Sequence, residues 1–268
     1  MPVDTSWTFA PIVLIALASY ALVYGLRWRR SRAQGGPRTA GWGRAVLWTA
    51  GLGLLVLALV SPVDRLGEQL ASMHMVQHLL IADLAPICLT LALTRHILRP
   101  LTRRIHRLER AAGPFGHPAF GVIAYVGVMW LWHVPALYEA ALEHGAVHTL
   151  EHLSFAAAGL LYWWHLLSPI RSRLRLGGLG PILYMASTKL LVGFLGVLLA
   201  FAPDVLYGVY ERGGGHWGMS ALDDQHVAGL IMALEQSIVM GIALAYLFAR
   251  MLTESEAEDQ RAERYEPA

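Results

Sequence analysis

Seven long apolar runs, separated by short loops of which every second one is crowded with arginine, constrain this chain more than any other feature. The runs cover about residues 9–26, 42–61, 71–94, 119–134, 146–167, 181–201 and 224–249. Most approach the ~20 residues that a helix needs to cross the hydrocarbon of a bilayer. In lipid every backbone N–H and C=O must find its partner within the protein, so isolated runs of this kind are expected to be helices. The expected fold is all-α: a polytopic membrane protein, a bundle of about seven transmembrane helices in a single domain over residues 1–268. The charge content agrees. Only 15% of residues are charged, where a soluble domain would carry ~25%.

Arginine sets the expected orientation. Arg27, Arg29, Arg30, Arg32, Arg38 and Arg44 lie between the first and second runs, and Arg95, Arg99, Arg103, Arg104, Arg107 and Arg110 between the third and fourth. Arg171, Arg173 and Arg175 follow the fifth run and Arg250 the seventh, while the opposite loops hold only Arg65 and Arg212. The positive-inside rule then puts the N-terminus outside and the C-terminus, with a tail over 250–268 that is acidic from Glu254 to Glu266, in the cytoplasm. The start, Met1-Pro2-Val3-Asp4, has no basic n-region, so the first run is expected to be a span rather than a cleaved signal. The arginine loops are read as enforcing topology, with anionic membrane lipid as the alternative contact, and nothing points to nucleic acid. Residues 136–143, after Pro135, are expected to form an interfacial helix. Cys88 is the only cysteine, which excludes a disulfide or a CxxC metal clip within one chain.

The chemistry is in the histidines. By the same topology eight of the twelve, His74, His78, His133, His144, His148, His152, His216 and His226, fall at the outer surface. His74 and His78 are four apart, as are His148 and His152, and residues so spaced share one face of a helix. Two helices each offering such a pair at one depth can close a metal site between them. His133, at the end of the fourth run, is expected as a fifth ligand or a supporting group. His226 is a further supporting candidate, whereas His144 and His216 read as surface groups. Imidazole suits copper, zinc, iron and nickel. Met73 and Met75 flank His74, the site faces outward, and no thiolate is at hand, so copper, as Cu(I) or Cu(II), is favoured. Haem, ligated by two of these histidines, is the less favoured cofactor. Of the nearby carboxylates Glu139, Glu143 and Glu151, the last is the best placed to orient ligands by accepting an imidazole N–H.

Three charges fall inside the runs: Asp83, Lys189 and Glu235. Ionisable groups at that depth normally face a partner or a cavity, and Lys189 is expected to pair with Asp83, Glu235 or both. Asp83 comes five residues after His78, which on an α-helix turns it away from that histidine's face. A transport path through these three charges is a further alternative. No nucleophile–base set and no phosphate-cradling glycine loop is present, so the chain is not expected to be an enzyme.

The motifs together resemble a known family. His74-Met75-Val76-Gln77-His78-Leu79-Leu80 preceded by Ser61-Pro62, Trp132-His133-Val134-Pro135-Ala136-Leu137-Tyr138-Glu139-Ala140-Ala141-Leu142, His148-Thr149-Leu150-Glu151-His152 with Tyr162-Trp163-Trp164, and Asp224-Gln225 resemble the CtaG family of bacterial cytochrome c oxidase assembly factors, the multi-span type. The resemblance covers the second to seventh runs. It implies a multi-pass protein of the bacterial plasma membrane that assembles a haem–copper respiratory oxidase through copper supply, with cytochrome c oxidase subunits as partners. By motif position the family's functional residues map onto His74, His78, His133, His148 and His152. Homo-oligomer formation is left open.

Overall fold

The computed structural model describes residues 3–170, 174, 176–212 and 216–265. Arg171, Arg173, Arg175 and the glycines Gly213 to Gly215 lie outside the described residues.

Every element among the described residues is helical, and each apolar run coincides with a helix. In chain order these are α1 (Pro11–Gly35), α2 (Trp42–Leu59), α3 (Pro62–Gly67), α4 (Ala71–Leu79), α5 (Ala85–Ala92), α6 (Arg95–Leu98), α7 (Thr102–Ala112), α8 (Pro118–Trp132), α9 (Pro135–Glu143), α10 (Gly145–Leu167), α11 (Gly180–Ala200), α12 (Gly208–Arg212) and α13 (Ala221–Tyr265). Proline opens α1, α3, α8 and α9, where its missing N–H costs nothing. The helix expected over 136–143 is α9.

Five of the described helices are long and apolar enough to cross a membrane: those starting at Pro11, Trp42, Ala71, Gly180 and Ala221. A sixth is counted if α8 and the preceding Thr102–Gly116 helix, bent by 65° from it, are taken as one span. Alone, α8 has 15 residues. The helix α10 has 23 residues, but its first half holds His148, Glu151 and His152, which lower its hydropathy.

Two features set the depth at which helices meet. Between α4 and α5 the chain makes one π-helical turn, Leu80–Leu84, in which the Ala85 N–H reaches the Leu80 carbonyl five residues back. Pro86 gives the reason. A helical proline cannot donate to the carbonyl four residues earlier and its ring collides with it; here that carbonyl belongs to Ala82. The widened turn relieves the clash, as π-turns and prolines are usual sites of helix irregularity. The Ala82 carbonyl meets α10 at Gly159, where an added Cβ would lie 2.0 Å from its oxygen. Similarly, α11 and α13 cross on small residues. A Cβ on Gly229 would sit 2.3 Å from the Ala200 nitrogen, and one on Gly196 3.0 Å from the Ala233 nitrogen. Small residues four apart on each helix let the backbones touch, a common way for membrane helices to pair.

The two ends of the bundle are tied differently. At one end side chains bind backbone carbonyls, most of them near helix ends: Tyr24 Oη donates to Arg44 and Ala92, Arg27 to Ile97, Arg44 to Leu91, and Arg95 to Pro169. Arg32 packs against the rings of Trp28 and Trp42. At the other end the site is assembled.

Candidate metal centre

The N-terminus of α4 has no side-chain cap of its own. Instead Asp224, in the first turn of α13, accepts from the Ala71 N–H at 2.6 Å and the Ser72 N–H at 3.3 Å, and from the Ser72 hydroxyl. A carboxylate there satisfies free amides and suits the positive end of the helix dipole. The α4 helix is thereby fixed two residues before His74. Gln77, on the same helix, donates 2.8 Å bonds to the Ala58 carbonyl and to Asp64. Next in sequence to Asp224, Gln225 clamps the 201–207 loop by accepting from the Leu206 N–H and donating to the Asp204 carbonyl.

With α4 held and Gly159 fixing its depth against α10, the two histidine pairs face one another. Ring centroids are 4.1 Å apart within each pair, 5.9 Å from His74 to His148, and 6.0 Å from His78 to His152. Between them lies Glu151, fully buried. Its Oε1 is 3.4 Å from both His74 Nε2 and His78 Nε2, and its Oε2 is 4.0 Å from His148 Nε2. Glu151 therefore stands among the ligand atoms, nearer the centre than the supporting place expected for it. Its position follows from spacing: on α10 it is three residues after His148 and one before His152. Glu143 instead forms a surface ion pair with Arg212 at 3.0 Å.

Two overlapping groups present three ligand atoms within 4.8 Å of one another: His74, His78 and Glu151, and His148, Glu151 and His152. Several of these atoms are buried with no hydrogen-bond partner, namely His78 Nε2, His148 Nε2, His152 Nε2 and Glu151 Oε2. Orphaned buried groups are costly, and an uncompensated carboxylate more so. With neutral rings the cluster holds one net negative charge and several unused lone pairs, which is a donor set a cation fits. Cys88 lies on α5 toward Gly51 and supplies no thiolate here.

His74 and His78 are enclosed, at 0% and 3% exposure, whereas His148, at 13% of its side chain, and His152 are part-buried. The cover is aromatic. Tyr138 lies 4.8 Å from the His74 ring and stacks on Tyr207 at 3.8 Å. Its hydroxyl meets that of Tyr210, which donates to the Gly67 carbonyl.

Other expectations are corrected as well. His133 is outside the two ligand groups: its Nδ1 donates to the Met129 carbonyl at 2.6 Å and its Nε2 faces Met75 Sδ at 3.4 Å. His226 is not a supporting group of the cluster, since its Nε2 donates to the Ala202 carbonyl at 2.9 Å and so ties α13 to the end of α11. Met73 is half-buried, and Met75 is in the core. His144 is exposed. Lys189 pairs with neither carboxylate. It is exposed, because the buried face of α11 runs through Thr188 and one helical step turns its neighbour outward. Asp83 accepts from Tyr125 Oη and, at 2.9 Å, from Trp163 Nε1. Nor does Asp83 point away from His78: the π turn brings both to the wall of one cavity.

The model of the cytochrome c oxidase caa3 assembly factor family matches residues 22–254. An uncharacterised protein of Mycobacterium leprae is 21% identical over 282 aligned positions, covering 97% of this chain and 42% of that protein. Uncharacterised proteins of Mycobacterium bovis and Mycobacterium tuberculosis are each 23% identical over 242 positions, covering 84% of this chain and 36% of theirs. The chain thus spans about two fifths of the length of the curated relatives it matches. No solved structure matches it. With a family match over most of its length, from within α1 to α13, the chain belongs to the cytochrome c oxidase caa3 assembly factors.

Proposed function

We propose that this membrane protein holds copper at the His74, His78, His148, His152 and Glu151 cluster and passes it to a subunit of a haem–copper cytochrome c oxidase during assembly. The single observation that carries this is the buried carboxylate between two facing histidine pairs, with ring nitrogens left unpartnered around it. In this reading the chain is one domain of seven spans, α1, α2, α4 with α5, α8, α10, α11 and α13, in the bacterial plasma membrane. The arginine-rich end is cytoplasmic and the histidine end faces outward, as the loop charges favour. The role is one of binding and transfer, without catalysis.

Imidazole nitrogens and one carboxylate suit Cu(II) and tolerate Cu(I). The tyrosine cover means that loading and release pass through the His148 and His152 side or need Tyr138, Tyr207 and Tyr210 to move. A haem is disfavoured by the packing, since Phe155 lies 4.1 Å from the His78 ring and Tyr138 4.8 Å from the His74 ring. Those rings fill the space a macrocycle would need. A transport path through Asp83, Lys189 and Glu235 is disfavoured by the outward turn of Lys189.

Metal analysis of the purified protein tests the proposal. Copper is expected in the wild type, and the His74→Ala, His78→Ala double variant should lose the imidazole-bound ion, together with oxidase maturation in cells. Binding should weaken in acid, because ligation needs neutral imidazoles. Unchanged copper content in the double variant, or a Soret band in the wild-type spectrum, would reject it.

A further inference from the structure

Directly beneath the imidazole cluster is a cavity of about 20 Å³ between α4, α8 and α13. Three thioethers line it, Met75, Met129 and Met232, with His133 and the two buried acids Asp83 and Glu235. Three methionines from three separate helices meeting at one small void are more than a filled core needs. Their neighbours make the void unusual, because it is polar on one side and has no cation beside it: Lys189 is turned outward.

Two atoms show what is missing. His133 Nδ1 faces the Met129 carbonyl, which can only accept, so the proton is on Nδ1. A neutral ring then points the Nε2 lone pair at the Met75 sulfur, 3.4 Å away, and sulfur offers only lone pairs in return. That contact is favourable only with a positive charge between or on the two, either a second ring proton or a metal ion. The separation suits an ion. With metal–imidazole bonds of ~2.0 Å and metal–sulfur bonds of ~2.3 Å, two adjacent ligands of a tetrahedral ion lie ~3.5 Å apart. The second observation is Glu235, 9% exposed, whose Oε1 has no partner although its Oε2 accepts from Gln236. A carboxylate left half-satisfied at that depth calls for a counter-charge.

We propose that this cavity is a second metal site that takes a soft monovalent cation, Cu(I), on the thioethers of Met75, Met129 and Met232 and on His133 Nε2. Thioethers select Cu(I) over the harder divalent ions. Asp83 and Glu235 supply the balancing charge without joining the sulfur set. His78 lines the cavity from above while belonging to the imidazole cluster, so the two sites share a wall. An ion can step from one to the other across that single ring. The ligand atoms of the lower site are otherwise distinct from those of the upper, and each site stands or falls by itself.

Copper-edge X-ray absorption on the purified full chain, loaded anaerobically with Cu(I) through a competing chelator, decides the matter. Sulfur scatterers are expected in the wild-type spectrum, alongside nitrogen. The volume-conserving variant Met75→Leu, Met129→Leu, Met232→Leu should lose the sulfur signal and one Cu(I) per chain, with its thermal unfolding checked beside it. The variant His148→Ala, His152→Ala should keep the sulfur-bound ion and lose the other, which separates the failure of either site from that of its neighbour. A wild-type spectrum with nitrogen and oxygen scatterers alone would overturn the proposal without any variant being needed. So would a triple-leucine protein that retains its full Cu(I) complement.

Discussion

The span that starts at Ala71 and the span that starts at Pro11 are built from similarly apolar sequence, yet they sit in opposite surroundings. In the first, 61% of the membrane window is buried inside the protein, and in the second 11%. The difference explains where polar chemistry is allowed. Around the first, imidazoles, carboxylates and a glutamine are enclosed by α2, α10 and α13, so their cost is set by partners within the protein. Along the second, Ile12, Ile15, Leu22 and Val23 face outward and carry no such groups. The wrapped span is where function can be written in ionisable residues, because hydrocarbon would otherwise forbid them.

This contrast can be broken, first by overfilling the wrapped span. Gly159→Ala would press a methyl into the Ala82 carbonyl and is expected to cost about 3 kcal/mol or to abolish folding. Gly53→Ala in α2 meets nothing within 4 Å and should leave thermal unfolding in detergent unchanged. Next in size is Glu151→Gln, which keeps the shape but removes the central charge. Copper affinity by competition titration should fall by about 10- to 100-fold, the scale seen when a metal site's polar partners are removed, with the fold intact. Asp224→Ala should follow, costing about 1–2 kcal/mol in thermal stability as α4 loses its cap, and weakening copper binding because His74 is no longer held. Smallest is Arg212→Ala, which removes an exposed pair with Glu143 and should cost under about 1 kcal/mol. If Arg212→Ala matched Asp224→Ala in effect, the contrast between enclosed and exposed polar groups would fail.

The helices were legible because hydropathy and proline placement determine them locally. The meeting of His74 and His78 with His148 and His152 was legible too, since four-residue spacing on two spans at one depth leaves few other arrangements. What escaped was anything that depends on rotation between helices. Glu151 was recognised as useful but not as central, because its place between the pairs depends on how α10 faces α4. Lys189 looked like a partner for Asp83 on depth alone, and depth does not say which way a side chain turns. His226 sits at the right level but on the wrong azimuth. The inward turn of Asp83 had a visible sign, Pro86 four residues past Ala82, yet the geometry of an unbroken α-helix concealed it. The trans cap from Asp224 joins residues 152 positions apart, a pairing that periodicity cannot reveal.

A helix that widens for one turn contains one residue more than its length requires. A one-codon deletion at Leu80 would let the segment relax to ordinary pitch. With every residue kept, ordinary pitch would leave His74 and His78, upstream, at their azimuth, while everything from Asp83 to Ala92 would swing by about 100°. The widened turn thus acts as a phase adjuster: it is what allows one continuous rod to present its imidazoles to one neighbour and its acid to the chamber below.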